Sequence, residues 1–178
     1  MSHPLQLFSF CPVCGDPRFV ENNVKSKKCL HCGFVYYFNP SAAVVAFILN
    51  EKGELLVCSR GKEPAKGTLD LPGGFVDMYE TGEEALCREV KEEIGLEVDT
   101  MQYCFSLPNL YLYSGFEVQT LDMFFVCNVQ PWTELVPADD VAEAFFLPTA
   151  DIDVKKFGLS SIQKGLEIFL NDTLIAKK

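Results

Sequence analysis

The stretch GGFVDMYETGEEALCREVKEEIGL, residues 73–96, says more about this chain than any other. It opens on a Pro72-Gly73-Gly74 turn and passes into Thr81-Gly82-Glu83-Glu84, where Thr81 and Glu84 have the spacing of a capping box. A helix is expected from there to Gly95, a residue suited to the left-handed conformation that ends helices. Helical periodicity places Leu86, Cys87, Val90 and Ile94 on one flank. Glu89, Glu92 and Glu93 share the neighbouring flank at i, i+3 and i+4, where like charges repel by roughly 0.2–0.5 kcal/mol per pair. Alternating signs would serve solubility better. Three carboxylates on one stripe make sense around a strongly positive centre, and Mg²⁺ is typically held by one or two carboxylates together with phosphate oxygens.

The pattern resembles the Nudix box: Gly, five residues, Glu, seven residues, then Arg-Glu-apolar-x-Glu-Glu-x-Gly-apolar. The matching positions are Gly74, Glu80, Arg88, Glu89, Val90, Glu92, Glu93, Gly95 and Leu96. A plain acidic amphipathic helix facing water would not need so many fixed positions at fixed spacing.

The chain has 178 residues, 48% of them apolar and 22% charged, which fits a globular domain with a small appendage rather than a disordered chain. No apolar run approaches the roughly 20 residues of a membrane helix; the strongest, Ala42–Leu49, has eight. The start, MSHPLQLFSFC, lacks the basic and apolar segments of a secretory signal, so a cytoplasmic protein is expected. Net charge is −10 but uneven. Residues 1–40 carry four basic residues against two acidic ones, and the remainder carries 11 against 23. An acidic body argues against nucleic acid, whose binding rests on neutralising phosphates with Lys and Arg.

Cys11-Pro12-Val13-Cys14 and Cys29-Leu30-His31-Cys32 stand 14 residues apart, a spacing that reads as a four-thiolate structural Zn²⁺ site. Gly15 and Gly33 follow the two knuckles, and His31 is read as a bystander. So short a segment cannot bury its own core, and metal binding would supply much of its folding energy. Lys25, Lys27 and Lys28 read as a solvated tip, with a supporting or dimerising arm preferred over a nucleic-acid reader. The single cysteines, Cys58, Cys87, Cys104 and Cys127, read as small buried hydrophobes in a reducing compartment.

A domain boundary is expected after residue 38, giving a zinc ribbon over 1–38 and a second domain over 39–178. In the second, Ala42–Leu49 reads as a buried strand and Glu54–Arg60 as its hairpin return across Asn50–Gly53. Thr68–Leu71, Glu97–Leu107, Leu121–Val129 and Phe145–Leu147 read as further strands, and Leu159–Leu170 as a closing amphipathic helix. Mixed strands with two helices suit an α/β/α sandwich, the fold class that the Nudix resemblance implies.

The resemblance also implies chemistry. Glu89, Glu92 and Glu93, with the Gly73 carbonyl, would ligate Mg²⁺ or Mn²⁺; one of these glutamates, or an acid from a later loop, would deprotonate the attacking water. Arg88 would orient the acidic cluster by salt bridge and Glu80 would support the loop. Asp140 and Glu143 are candidates for an extra ligand. Arg60, Phe75, Tyr111 and Glu143 are candidate substrate contacts, while Lys62 and Lys66 read as solvated loop. A ribbon joined to a Nudix domain resembles NADH, FAD and ADP-ribose pyrophosphatases. The NADH group carries Ser-Gln-Pro-Trp-Pro-Phe-Pro-x-Ser after the box. Residues 106–114 keep Ser106, Pro108 and Ser114, with Tyr111 as an aromatic stand-in, but lack the Gln, the Trp and two prolines. The expected activity is hydrolysis of the pyrophosphate in a nucleoside diphosphate linked to another group, with a homodimer expected from relatives. The rival reading is a catalytically silent Nudix sensor whose ribbon binds nucleic acid or protein.

Overall fold

A computed structural model describes residues 3–130 and 135–171, so the ends of the two expected domain spans lie outside the described residues. The chain divides into two compact units, Met1–Pro40 and Ser41–Lys178, two residues beyond the boundary expected from the sequence.

In the first unit, β1 (Phe19–Asn23), β2 (Ser26–Cys29) and β3 (Val35–Tyr37) form an antiparallel sheet in that order. Each cysteine knuckle closes the same way: Gly15 N–H donates to the Cys11 carbonyl and Gly33 N–H to that of Cys29, both glycines at positive φ. The apolar centre is small, with Cys11, Phe19 and Cys29 buried and Phe34 against them. Lys27 departs from the solvated tip expected of it. It is buried, its Nζ donates to the Phe8 carbonyl at 2.7 Å, and it lies over the Phe19 ring. Lys27 and Cys29, two residues apart, share a buried face of β2, and Lys28 between them is exposed.

The second unit is an α/β/α sandwich. Its strands are β4 (Ser41–Ile48), β5 (Glu54–Arg60), β6 (Leu69–Asp70), β7 (Val98–Tyr113), β8 (Phe116–Val129) and β9 (Val141–Pro148). The helices are α1 (Gly82–Ile94) and α2 (Ser160–Asn171). One group of strands runs β4-β8-β7, with β4 parallel to β8 and β7 antiparallel to it; the other runs β6-β5-β9, all antiparallel. β4 and β5 are buried on both faces, which explains their unbroken apolar runs. Val44, Ala46, Leu56 and Cys58 pack with Leu86, Val90 and Ile94 of α1. Val45, Phe47, Leu55 and Val57 pack with Ile162, Leu166 and Phe169 of α2.

The expected β4–β5 hairpin does not form as a ladder. Beyond one bridge between Leu49 and Leu55, the strands part into different sheets. Both edges of β4 are already occupied: β8 lies along one, and Val44 and Ala46 N–H donate to the carbonyls of Gly74 and Pro72 along the other. β7 and β8 run longer than expected and close on Ser114-Gly115, both at positive φ. Pro108 sits inside β7, which tolerates it as the outer strand of its group. Of the four single cysteines, Cys58 and Cys127 are buried, whereas Cys87 and Cys104 are only half-buried.

Candidate active site

Residues 73–96 fold as their spacing dictates. Glu84 N–H donates to Thr81 Oγ1 while Thr81 N–H donates to the Glu84 carboxylate, completing the capping box, and Gly95 ends α1 at φ 80°. The apolar flank of α1 is buried and its acidic flank is turned toward the Pro72–Phe75 segment.

Arg88 is the hub of that flank. Its guanidinium makes a two-pronged pair with Glu80, at 2.9 Å from both Nε and Nη2. Nη1 reaches Glu89 at 2.8 Å and Glu92 at 3.2 Å, and Nη2 also donates to the Phe75 carbonyl at 3.0 Å. Glu80 in turn accepts the Asp77 N–H, so loop and helix are locked through one side chain.

Glu92 stands half-exposed, but Glu93 is only 7% exposed and accepts the Gly73 N–H at 3.0 Å. Burial, reinforced by the charges of Glu89, Asp70 and Asp140, pushes the Glu93 carboxyl up to about 8. Burial also raises Glu89, against the pull of Arg88. Gly73 is required where it stands: at φ 145°, a Cβ there would lie 2.1 Å from the Val44 carbonyl oxygen. β4 uses the carbonyls of Pro72 and Gly74, which leaves that of Gly73 as the one of the three not taken by the strand.

Glu93, Gly73 and Gly74 open onto a cleft of about 120 Å³. Arg60, Phe75, Tyr111 and Asp140 also wall it. Arg60 pairs with buried Asp70 at 2.5 Å and donates to the Pro64 carbonyl. Phe75 and Tyr111 meet edge to face, 5.9 Å apart. Glu143 is not brought here; it lies exposed on β9 opposite Ser59. Lys62 pairs with Asp139 and Asp140, so the loop it belongs to is tethered to the cleft rim rather than simply solvated.

The Sγ atoms of Cys11, Cys14, Cys29 and Cys32 all lie within 4.8 Å of one another, a tetrathiolate arrangement suited to Zn²⁺. The Cys32 N–H donates to Cys29 Sγ and helps hold that thiol down at about 6. The His31 ring is exposed and its Nδ1 lies 3.9 Å from Asp16 Oδ2, outside the thiol group. Among the described residues no other group of three or more ligands converges so tightly. The carboxylates of Glu89, Glu92 and Glu93 are more widely spaced, with Arg88 between two of them. Their donors are all oxygen, which fits a hard divalent cation and not a thiophilic one.

A family model described as the NUDIX domain matches residues 39–165. The chain belongs to the NUDIX family. An ADP-ribose pyrophosphatase of Methanocaldococcus jannaschii is 33% identical over 130 residues, 72% of this chain and 73% of that protein. An NAD-capped RNA hydrolase NudC of Chromobacterium violaceum is 35% identical over 97 residues, 54% of this chain and 36% of that one. This chain therefore spans well under half the length of the NudC relatives it matches. A NUDIX hydrolase structure from Nitrosomonas europaea superposes with a TM-score of 0.72 at 19% identity, over 93% of this chain and 92% of that one, which speaks for the fold. The Nudix cleft also contains Asp70, Asn109, Thr120 and Asp122, which no motif in the sequence marks. Asp122 carried the clearest signal, a single acid inside the apolar run 121–126.

Proposed function

We propose that this Nudix chain hydrolyses the pyrophosphate bond of a nucleoside diphosphate linked to another group, of the ADP-ribose, NADH or FAD type, with Mg²⁺ or Mn²⁺. The observation that carries the reading is that every box residue is present and that the helix flank bearing them opens, through Glu93 and Gly73, onto one cleft. The names of the relatives point to the same substrate class.

Glu89, Glu92 and Glu93, with the Gly73 carbonyl, are the proposed ligands. The bound cation would neutralise charge on the nonbridging phosphate oxygens and polarise the phosphorus. Arg88 positions Glu89 and Glu92 through the Glu80 pair, and Arg60 stands where it can meet a phosphate. Water adds to one phosphorus, the bridging P–O bond breaks with its electrons retained by the departing phosphate, and the water proton passes to a cleft carboxylate. Asp140 is nearer to this work than Glu143, because it alone of the two walls the cleft.

The four thiols are proposed to hold a structural Zn²⁺, with the ribbon as a supporting element rather than a nucleic-acid reader. Cysteines gathered as metal ligands suit a reducing compartment such as the cytoplasm. No helix among the described residues is long and apolar enough to cross a membrane. A second copy as partner rests on the family resemblance alone, and sedimentation of the full chain tests it.

The decisive experiment is an assay of ADP-ribose, NADH and FAD with Mg²⁺ and Mn²⁺, following AMP release, with Glu93→Gln beside the native chain. The reading expects turnover that falls at least about a hundredfold in the variant. Binding without turnover across the panel would assign a sensor instead.

A further inference from the structure

At the end of the cleft formed by β7, β8 and the start of α2, three polar side chains are almost wholly buried: Asn109, Thr120 and Asp122, the last only 4% exposed. Asn109 faces Thr120 directly across the β7–β8 ladder, and Asp122 follows two residues on, so the three share one face of the sheet. Apolar Val45, Leu71, Leu159 and Ile162 wall the same cleft. Polar groups in such a place need a reason, because burying them is unfavourable unless their hydrogen bonds are completed.

Their own bonds leave a defined remainder. Thr120 Oγ1 donates to Asp122 Oδ1 and Ser161 Oγ to Asp122 Oδ2, each at 2.5 Å. Ser160 Oγ donates to Asn109 Oδ1 at 3.1 Å. A carboxylate oxygen can accept twice, so Asp122 keeps acceptor capacity after both bonds, while the Asn109 amide keeps its two N–H donors. Hydroxyls from the first turn of α2 fix both side chains in orientation, and the two residues that keep an acceptor and a donor both line the cleft.

We propose that this pair reads an amide-type edge on the substrate, one N–H donor beside one acceptor, and so selects the organic group attached to the diphosphate. Adenine presents that edge through its 6-amino group and N1, and a nicotinamide carboxamide presents it through its NH₂ and C=O. Hypoxanthine reverses the pattern, and a carboxylate in place of the carboxamide loses the donor. The proposal rests on the cleft being a nucleotide pyrophosphatase site and adds which side chains choose the substrate. A site built to bond a polar edge rejects an analogue that leaves its buried groups unpaired.

The test compares kcat/KM of the full chain on ADP-ribose and its hypoxanthine counterpart, and on NADH and its nicotinic-acid counterpart. Calorimetric binding of the same four compounds to Glu93→Gln gives a readout that needs no turnover. The native chain is expected to favour one amide-edged member over its counterpart by roughly tenfold or more. The pair that shows this identifies the group read. Asp122→Asn and Asn109→Asp each exchange an acceptor for a donor or the reverse, and each is expected to collapse that ratio or invert it. If Asp122→Asn does not fold, Asn109→Asp carries the same decision. Discrimination below about twofold in the native chain, or a ratio unchanged in the folded variants, would overturn the proposal. Discriminating binding without hydrolysis would instead uphold the specificity site and remove the proposed activity.

Discussion

Gly73 N–H donates to Glu93 Oε2 at 3.0 Å, joining the turn before the box to the last acid of the box helix across twenty residues. Because Gly73 also lies against β4 with no room for a Cβ, Gly73→Ala tests whether this junction holds the fold together. The substitution is expected to destabilise the chain by about 3 kcal/mol or more, seen as a large fall in the thermal midpoint. A loss under about 1 kcal/mol would show that the turn relaxes freely.

Arg88 presents a fork to Glu80 and a third contact to the Phe75 carbonyl, geometry that an ammonium cannot reproduce. Arg88→Lys keeps the charge and loses the fork. Turnover is expected to fall by roughly ten- to a hundredfold, with the melting midpoint moving by only a few degrees. Loss of folding together with activity would make Arg88 a purely structural residue.

Glu93 makes the chain without Mg²⁺ or Mn²⁺ sensitive to pH. Its folded-state pKa near 8 lies above the ordinary 4.5, so between those values the folded chain keeps a proton that the unfolded chain has released. Stability of the zinc-loaded chain without Mg²⁺ or Mn²⁺ therefore falls as pH rises from about 4.5 to about 8 and levels off above that, a loss on the order of a few kcal/mol. Denaturant titrations across that range measure it. Glu93→Gln should remove this part of the decline, and saturating Mg²⁺ should reduce it in the native chain.

The four clustered Sγ atoms predict one zinc per chain in the native protein and substantially less in Cys29→Ser, measured by elemental analysis. The ribbon of the variant should become protease-sensitive while the second unit stays folded. Equal zinc content in both proteins would contradict a tetrathiolate site.

How much of this was legible depends on how locally each feature is encoded. The box helix declared itself because its cap, apolar flank and terminating glycine all lie within sixteen residues. β5 has the bounds its sequence predicts, but it pairs with β6 and β9 and not with β4, since strand partners depend on distant segments such as β8 and residues 72–74. Pro108 hid the second half of β7, because a proline ends a central strand but not an outer one. Asp140 and Glu143 looked equivalent as neighbours in sequence, and only the path of β9 separates the acid at the cleft from the one on the surface. Asp70, Asn109 and Asp122 come from separate strands, and no spacing rule brings them into one cleft.

If a divalent cation joins Glu89, Glu92 and Glu93 to a diphosphate, its binding relieves the repulsion among the three carboxylates. Titrating Mn²⁺ into zinc-loaded protein with ADP-ribose present, and following bound manganese by its paramagnetic signal, tests this. At least one bound Mn²⁺ per chain is expected, displaced by Mg²⁺ and lost or greatly weakened in Glu93→Gln. Manganese binding absent from the native chain, or unchanged in the variant, would contradict it.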